Sequence, residues 1–289
     1  ICKKIIGSLS NFITIEGNQY NISINIGGAL YPQDSNNILQ LINFADMALE
    51  DSEIKGHNRY QLYNKEIGKK ILRLNLLDQA IPQAIKEDQF YLKYQPTVNL
   101  KNKLVTGAEA LLRWESSHLG NVSPSEFIPR AESMGSIIAL GECVLDKACA
   151  EAKVWSSLVE IPIRIGVNFS PIQLAEENII NFVVNTLKKY DLSPNNLDIE
   201  LTEHSFLKDQ ESAIKAITSL QEFGVSFSLD DFGTGYSSLS QLVSYPINTI
   251  KIDQSLITGL GSNDAAISIV KAIVTMAKEL GIAVLAEGV

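Results

Sequence analysis

The chain has 289 residues, 45% apolar and 20% charged, which suffices for packed cores and excludes a disordered or low-complexity protein. With 24 Lys and Arg against 33 Asp and Glu, the net charge is −9. No basic block stands against that acidity, so the footprint of a nucleic-acid polymer binder is missing. An acidic chain that handles phosphates takes its positive charge from bound cations. No apolar run has the length of a bilayer span, so no membrane contact is expected of this segment. Cys2, Cys143 and Cys149 lie in helix-like sequence without metal spacing and read as reduced thiols of a cytoplasmic protein, any membrane anchor lying upstream.

In chain order, Tyr20 to Ile26 alternates apolar and polar residues and predicts a half-buried strand. Ile38 to Ser52 predicts a helix, with Leu39, Ile42, Ala45 and Leu49 on one face. Residues 1–63 thus form a small α+β piece. Residues 64–88 predict a charged amphipathic connecting helix carrying Ile67, Ile71, Leu74 and Leu77, which Pro82 should kink or break. From residue 89 the pattern changes. Strand-like runs at Leu104–Trp114, Ile163–Phe169, Leu197–Leu201, Val225–Leu229, Thr249–Ile252 and Ile282–Leu285 alternate with helical stretches such as Gly141–Ser156, Glu211–Phe223 and Asp264–Leu280. Continuously apolar strands separated by helices argue for parallel strands buried on both faces. Without a glycine-rich dinucleotide turn, a (β/α)₈ TIM-like barrel fits better than a doubly wound sheet.

Acids and amides mark these runs: Glu109 lies within the first, Asn168, Glu200 and the pair Asp230-Asp231 end theirs, Lys251 lies within Thr249–Ile252, and Glu287 follows the last. From Asn168 to Glu200, Asp230, Lys251 and Glu287 the steps are 32, 30, 21 and 36 residues, close to one strand–helix unit each. Parallel barrel strands converge at their carboxyl ends, where barrel active sites are built. Carboxylates gathered there repel one another unless cations neutralise them. An all-oxygen set selects Mg²⁺ or Mn²⁺ over zinc. Adjacent Asp230 and Asp231 suit two ions, with one carboxylate bridging both, and two ions clamp a phosphoryl centre and acidify a water. Lys251 would orient that water or stabilise developing charge. The chemistry so predicted is metal-assisted phosphodiester hydrolysis. Taken singly, each element has an ordinary reading: Glu109 as a surface acid, Asp230-Asp231 as a turn and cap, Lys251 as a solvated charge, Glu200 as half of a salt bridge. Asp231-Phe232-Gly233 is also a kinase magnesium motif, but no His-Arg-Asp loop precedes it and that reading fails.

Residues 89–289 resemble the EAL family of cyclic di-GMP phosphodiesterases. The matching stretches are Tyr94-Gln95-Pro96, Glu109-Ala110-Leu111-Leu112-Arg113-Trp114, Pro124-Ser125-Glu126-Phe127-Ile128-Pro129, Asn168-Phe169-Ser170 and Glu200-Leu201-Thr202-Glu203. The series continues through Asp230-Asp231-Phe232-Gly233-Thr234-Gly235-Tyr236-Ser237-Ser238-Leu239, Lys251-Ile252-Asp253 and Ala286-Glu287-Gly288-Val289. The resemblance implies hydrolysis of cyclic di-GMP to linear pGpG with two Mg²⁺ or Mn²⁺ ions. It makes Glu109, Asn168, Glu200, Asp230, Asp231 and Glu287 the metal ligands and Lys251 the assistant of the nucleophilic water. Arg113 would touch a substrate phosphate, and Gln95 would lie near the nucleotide. Glu203 would hold the loop after Asp230-Asp231 and couple the site to a homodimer formed through the barrel; His204 beside it has no matching role. The alternative is a catalytically inactive cyclic di-GMP receptor or dimerisation module. The family continues past the position of Val289 with a Glu and then a Gln, so the barrel is expected to be incomplete within this segment, with its last strand and helix beyond it.

Residues 1–63 resemble the C-terminal part of a GGDEF (diguanylate cyclase) domain. The resemblance rests on Ser23-Ile24-Asn25-Ile26-Gly27, Tyr31-Pro32, Ala45-Asp46-Met47-Ala48-Leu49 and Gly56-His57-Asn58-Arg59. Glu53 stands where that family has a phosphate-facing lysine, and His57 where it has an arginine. An acid facing a triphosphate is repulsive, so no cyclase activity is expected. His57 and Arg59 also fit ordinary turn and surface roles.

Overall fold

A computed structural model describes residues 1–9, 13–15, 18–20, 22–159, 163–202, 210–233, 245–261 and 263–289. The chain divides into two units, Ile1–Ala80 and Ile81–Val289.

The first unit holds helix α1 (Cys2–Leu9), the hairpin strands β1 (Ile13–Ile15) and β2 (Asn18–Tyr20), strand β3 (Ile26–Gly28), helix α2 (Ile38–Ile54) and strand β4 (Tyr60–Leu62). β3 and β4 pair in parallel, Ile26 opposite Tyr60. The alternation from Tyr20 to Ile26 does not become one strand, because residues 22–25 form no ladder. Side chains take over its hydrogen bonds: the Ile24 N–H donates to Asn58 Oδ1, the Asn25 amide donates to the Gly56 carbonyl, and the Arg59 N–H donates to Asn25 Oδ1. Such local side-chain bonds compete with strand pairing. Asn37 caps α2 by accepting from the N–H groups of Leu39 and Gln40, as a short polar side chain does at a helix start.

Helix α3 (Lys65–Lys86) begins in the first unit and runs through Pro82 without ending there. Proline forfeits one helical hydrogen bond. Leu77, Ile81 and Ala84 are buried along this stretch, and their burial offsets that loss.

The second unit is a curled sheet with helices on its outer side. Its strands are β5 (Phe90–Val98), β6 (Val105–Ser116), β7 (Gly120–Val122), β8 (Arg164–Asn168), β9 (Leu197–Thr202), β10 (Ser226–Phe232), β11 (Thr249–Ile252) and β12 (Ala283–Ala286). The sheet order is β12–β11–β10–β9–β8–β6–β5, with β7 paired to β6. Neighbours from β6 through β8 to β12 are parallel, whereas β5 and β7 run antiparallel to β6. The six runs read from the sequence, β6 and β8 to β12, are parallel as expected; β5 lies outside them, and a short hairpin joins it to β6 and can only return the chain antiparallel. Between the strands lie helices α4 (Pro124–Ser133), α5 (Ile137–Leu158), α6 (Pro171–Leu174), α7 (Ile179–Lys189) and α8 (Gln210–Phe223), then the helices Gln254–Thr258 and Asp264–Glu279. No helix among the described residues is long and apolar enough to cross a membrane.

The strands are not continuously apolar, as the sequence reading had them. They alternate, and both faces are buried. Ile165, Val167, Leu197, Ile199, Leu201, Phe227, Leu229, Ile250 and Ile252 join Leu145, Cys149, Val183, Leu187, Ile217 and Leu220 of the helices in one core. The opposite face carries Gly166, Asn168, Asp198, Glu200, Ser228, Asp230 and Lys251, on the alternate positions that a pleat turns the other way. A second apolar cluster, Phe90, Trp114 and Phe127, has ring centroids 5.1–5.5 Å apart, with Trp114 Nε1 donating to Gln89 Oε1 at 3.1 Å. It anchors the far end of the β5–β6 ladder.

Candidate active site

The register aligns the strand ends. Glu109 lies opposite Gly166, Asn168 opposite Glu200, and Glu200 opposite Ser228, two residues before Asp230. Lys251 lies opposite Leu285, two residues before Glu287. The polar side chains of six consecutive strands therefore emerge at one rim.

At the centre sits Lys251, buried to 3% side-chain exposure. Its Nζ lies 2.9 Å from Glu109 Oε2, 2.5 Å from Glu200 Oε2, 3.1 Å from Asp230 Oδ1 and 2.9 Å from Glu287 Oε1. Asn168 Nδ2 donates to Glu109 Oε1 at 2.8 Å, and the other end of that amide is an acceptor. Burial alone would lower the Lys251 pKa; the carboxylates of Glu200, Asp230 and Glu109 outweigh it and hold the ammonium protonated. Burial pushes the Glu200 carboxyl up, with Lys251 pulling it back. Burial likewise raises Glu287 against the pull of Lys251.

Asp230 and Asp231 reach the same place by a local irregularity. Adjacent strand residues ordinarily point to opposite faces. Here the β10–β11 register shifts between Leu229 and Phe232, Asp231 takes the left-handed φ of +55°, and its N–H donates to Asp230 Oδ1 at 2.9 Å. Such a bulge re-aims a side chain, and Asp is among the few residues that tolerate the left-handed region. Burial, then the charges of Asp230 and Asp253, raise the Asp231 pKa.

Two carboxylate triads result, Glu109–Glu200–Asp230 and Asp230–Asp231–Glu287, each offering ligand atoms within 4.8 Å of one another. Asp230 belongs to both. Neither triad contains sulfur or imidazole, and five carboxylates with one ammonium leave a local excess of negative charge. Such a donor set fits hard divalent cations.

Two contributors escape a reading by strand ends. A Cβ on Gly166 would lie 2.1 Å from Glu200 Oε1, so the glycine leaves the space through which Glu200 reaches the centre. A glycine inside a buried strand is the signal for such an approach. Asp198, two residues before Glu200, accepts from the Ser228 hydroxyl and forms a buried polar floor. Its pKa is raised by burial, against that hydrogen bond. Gln95 lies directly across the β5–β6 ladder from Glu109. Arg113 lies four residues along β6 on the same face, with its Nη1 donating to the Leu112 carbonyl; neither belongs to the Lys251 cluster. Glu203 and His204 lie outside the described residues.

A family model for the EAL domain matches residues 78–289. The chain belongs to the EAL domain family. Over its full length it is 35% identical to the bifunctional diguanylate cyclase/cyclic di-GMP phosphodiesterase MucR of Pseudomonas aeruginosa, of which it spans 42%. It is 33% identical, over 92% of its length, to the cyclic di-GMP phosphodiesterase PdeR of Escherichia coli, of which it spans 40%. The structure of the PaMucR phosphodiesterase in complex with c-di-GMP matches with a TM-score of 0.69 and 38% identity, over 74% of this chain and 87% of that one. The EAL domain therefore makes up most of a chain that spans less than half the length of these curated relatives.

Proposed function

We propose that this EAL domain hydrolyses cyclic di-GMP to linear pGpG. One observation carries the reading: two carboxylate triads sharing Asp230, gathered around a single buried ammonium at the carboxyl ends of parallel strands. The relatives named as cyclic di-GMP phosphodiesterases support the substrate.

In this reading Glu109, Asn168, Glu200 and Asp230 would hold one Mg²⁺ or Mn²⁺ ion, and Asp230, Asp231 and Glu287 would hold a second. When bound, such a pair supplies an acidified water and positive charge for the phosphoryl oxygens. The water oxygen forms the new bond to phosphorus, the P–O3′ bond breaks, and the proton balance leaves a 5′-phosphate and a free 3′-hydroxyl. Lys251 orients the surrounding carboxylates and would stand beside the attacking water. Arg113 pairs with a substrate phosphate, and Gln95 borders the nucleotide. Glu203 holds the loop after Asp230-Asp231 and links the site to a homodimer formed through the barrel.

The domain limits belong to the same proposal: residues 1–63 as the C-terminal part of a GGDEF-like domain, 64–88 as the connecting helix, and 89–289 as the EAL domain of a cytoplasmic signalling protein. The match to MucR across the whole chain supports the first of these.

The test is chromatographic. With Mn²⁺ the full-length protein should convert cyclic di-GMP to pGpG, EDTA should stop it, and Asp230→Asn should lower the rate at least a thousandfold, on the order of a lost metal site. Undiminished turnover by Asp230→Asn would remove the shared-ligand assignment. Ligand binding without turnover by the parent chain would favour the receptor.

A further inference from the structure

We infer that Lys93 is a substrate-binding residue, a second cationic contact for the phosphates of the cyclic dinucleotide. The inference rests on the hydrolytic reading for the identity of its ligand, and on the β5–β6 ladder for its geometry.

In that ladder Gln95 lies opposite Glu109, Lys93 opposite Leu111, and Tyr91 opposite Arg113. Directly opposed residues of an antiparallel pair share a face. The intervening residues Leu92, Tyr94, Ala110 and Leu112 belong to or pack against the helix-side core, which places Tyr91, Lys93 and Gln95 on the face of Glu109. Lys93 is exposed. Its ammonium has no hydrogen-bond or ion-pair partner among the described residues. It stands midway between the row of Glu109 and the row of Arg113, about 7 Å from each by strand geometry.

Electrostatics gives that position its value. The ligand is a dianion approaching a rim with five carboxylates. Lys251 is buried beneath them and engaged by four. Along the β5–β6 limb of this face, Lys93 and Arg113 are the cationic side chains. A flexible ammonium between the chemistry and the Arg113 fork can follow a phosphate without demanding bidentate geometry.

The experiment measures cyclic di-GMP affinity by calorimetry with Mn²⁺ in the Asp230→Asn background, and KM in the otherwise unaltered chain. Lys93→Ala should raise both Kd and KM about tenfold, the scale of a charge-assisted hydrogen bond at a partly exposed site, while kcat and the thermal midpoint stay in place. Lys93→Arg should restore affinity to within about twofold, and the salt dependence of binding should flatten in Lys93→Ala. Lys101→Ala removes the same charge from the β5–β6 turn and should change neither constant. The proposal falls if Lys93→Ala binds as the parent does, if Lys101→Ala weakens binding equally, or if the parent binds no cyclic di-GMP. Binding that depends on Lys93 without any cleavage would sink the hydrolytic reading and leave this one standing. Cleavage with an unmoved KM in Lys93→Ala would do the reverse.

Discussion

Each unit of the chain buries a charged cluster, and the two are inverted. In Ile1–Ala80 one carboxylate, Asp51 at 1% exposure, meets two ammonium groups, Lys55 at 2.6 Å and Lys70 at 2.7 Å. In Ile81–Val289 one ammonium, Lys251, meets four carboxylates. The first cluster closes its own charge, and its lysines lie about half in solvent, where an excess of one charge is hydrated cheaply. Among the described residues the second does not close its charge. A buried acid surplus is tolerated where an outside cation completes it, so the balance of a cluster separates a structural ion pair from a site awaiting a ligand.

The largest test of this contrast is to remove the base from the acid cluster. Lys251→Met in EDTA should lose about 3–5 kcal/mol of stability, the cost of leaving buried charges uncompensated, read by urea unfolding of the second unit. Trp114 and Trp155, the chain's two tryptophans, both lie in that unit and report it by fluorescence. Glu287→Gln, which removes part of the surplus, should hold or raise the midpoint in EDTA, because site residues sacrifice stability for function. Mn²⁺ should stabilise the parent by about 2.7 kcal/mol at 100 times its Kd and should stabilise Glu287→Gln less. Equal losses from Lys251→Met and Glu287→Gln would show that the cluster is balanced after all.

A smaller effect tests whether the cluster depends on the space around it. Gly166→Ala places a methyl on Glu200 Oε1 without touching a ligand atom's identity. It should cut Mn²⁺ affinity and pGpG formation roughly 10- to 100-fold, the usual scale for residues that orient ligands, with the core strands still formed. Turnover like that of the parent would mean that Glu200 has another route to the centre.

What could be read in advance follows the same physical line. The strand–helix repeat from residue 105 onward was legible because apolar strand cores and amphipathic helices leave local periodic marks. Asn168, Glu200, Asp230, Asp231 and Glu287 could be singled out because they end or follow apolar strand runs at repeat spacing, and Glu109 and Lys251 because they are charged residues inside such runs. Their convergence on Lys251 Nζ could not, since it depends on register across six strands and on the Asp231 bulge. The antiparallel entry of β5 was hidden for another reason: Phe90–Val98 reads equally well as a strand in either direction. Lys93 was illegible because a cross-strand partner leaves no mark in its own neighbourhood; Gly166 carried the mark of a glycine inside a strand, which does not say which side chain it makes room for. The strand assigned to Tyr20–Ile26 failed because Asn25 and Asn58 divert the hydrogen bonds that alternation alone would assign to a ladder.

The smallest predicted effect belongs to the balanced cluster and should answer to acid. Burial alone would raise the Asp51 pKa; the hydrogen bonds and charges of Lys55 and Lys70 outweigh it and hold it below 3.8. A carboxylate with a depressed folded pKa contributes stability that is fully present above its unfolded value and disappears as pH falls through the folded value. Hydrogen exchange of the α2 amides reads this region alone. Asp51→Asn should weaken their protection by about 1 kcal/mol at neutral pH, a modest figure because both lysines are half exposed. The gap should hold down to about pH 4 and close at lower pH, as the parent's carboxylate takes up its proton. Lys70→Met should lose less than Asp51→Asn, because Lys55 still answers the carboxylate. If the gap instead widens in acid, Asp51 is not held ionised by its two lysines, and the contrast between a closed and an open cluster loses its reference.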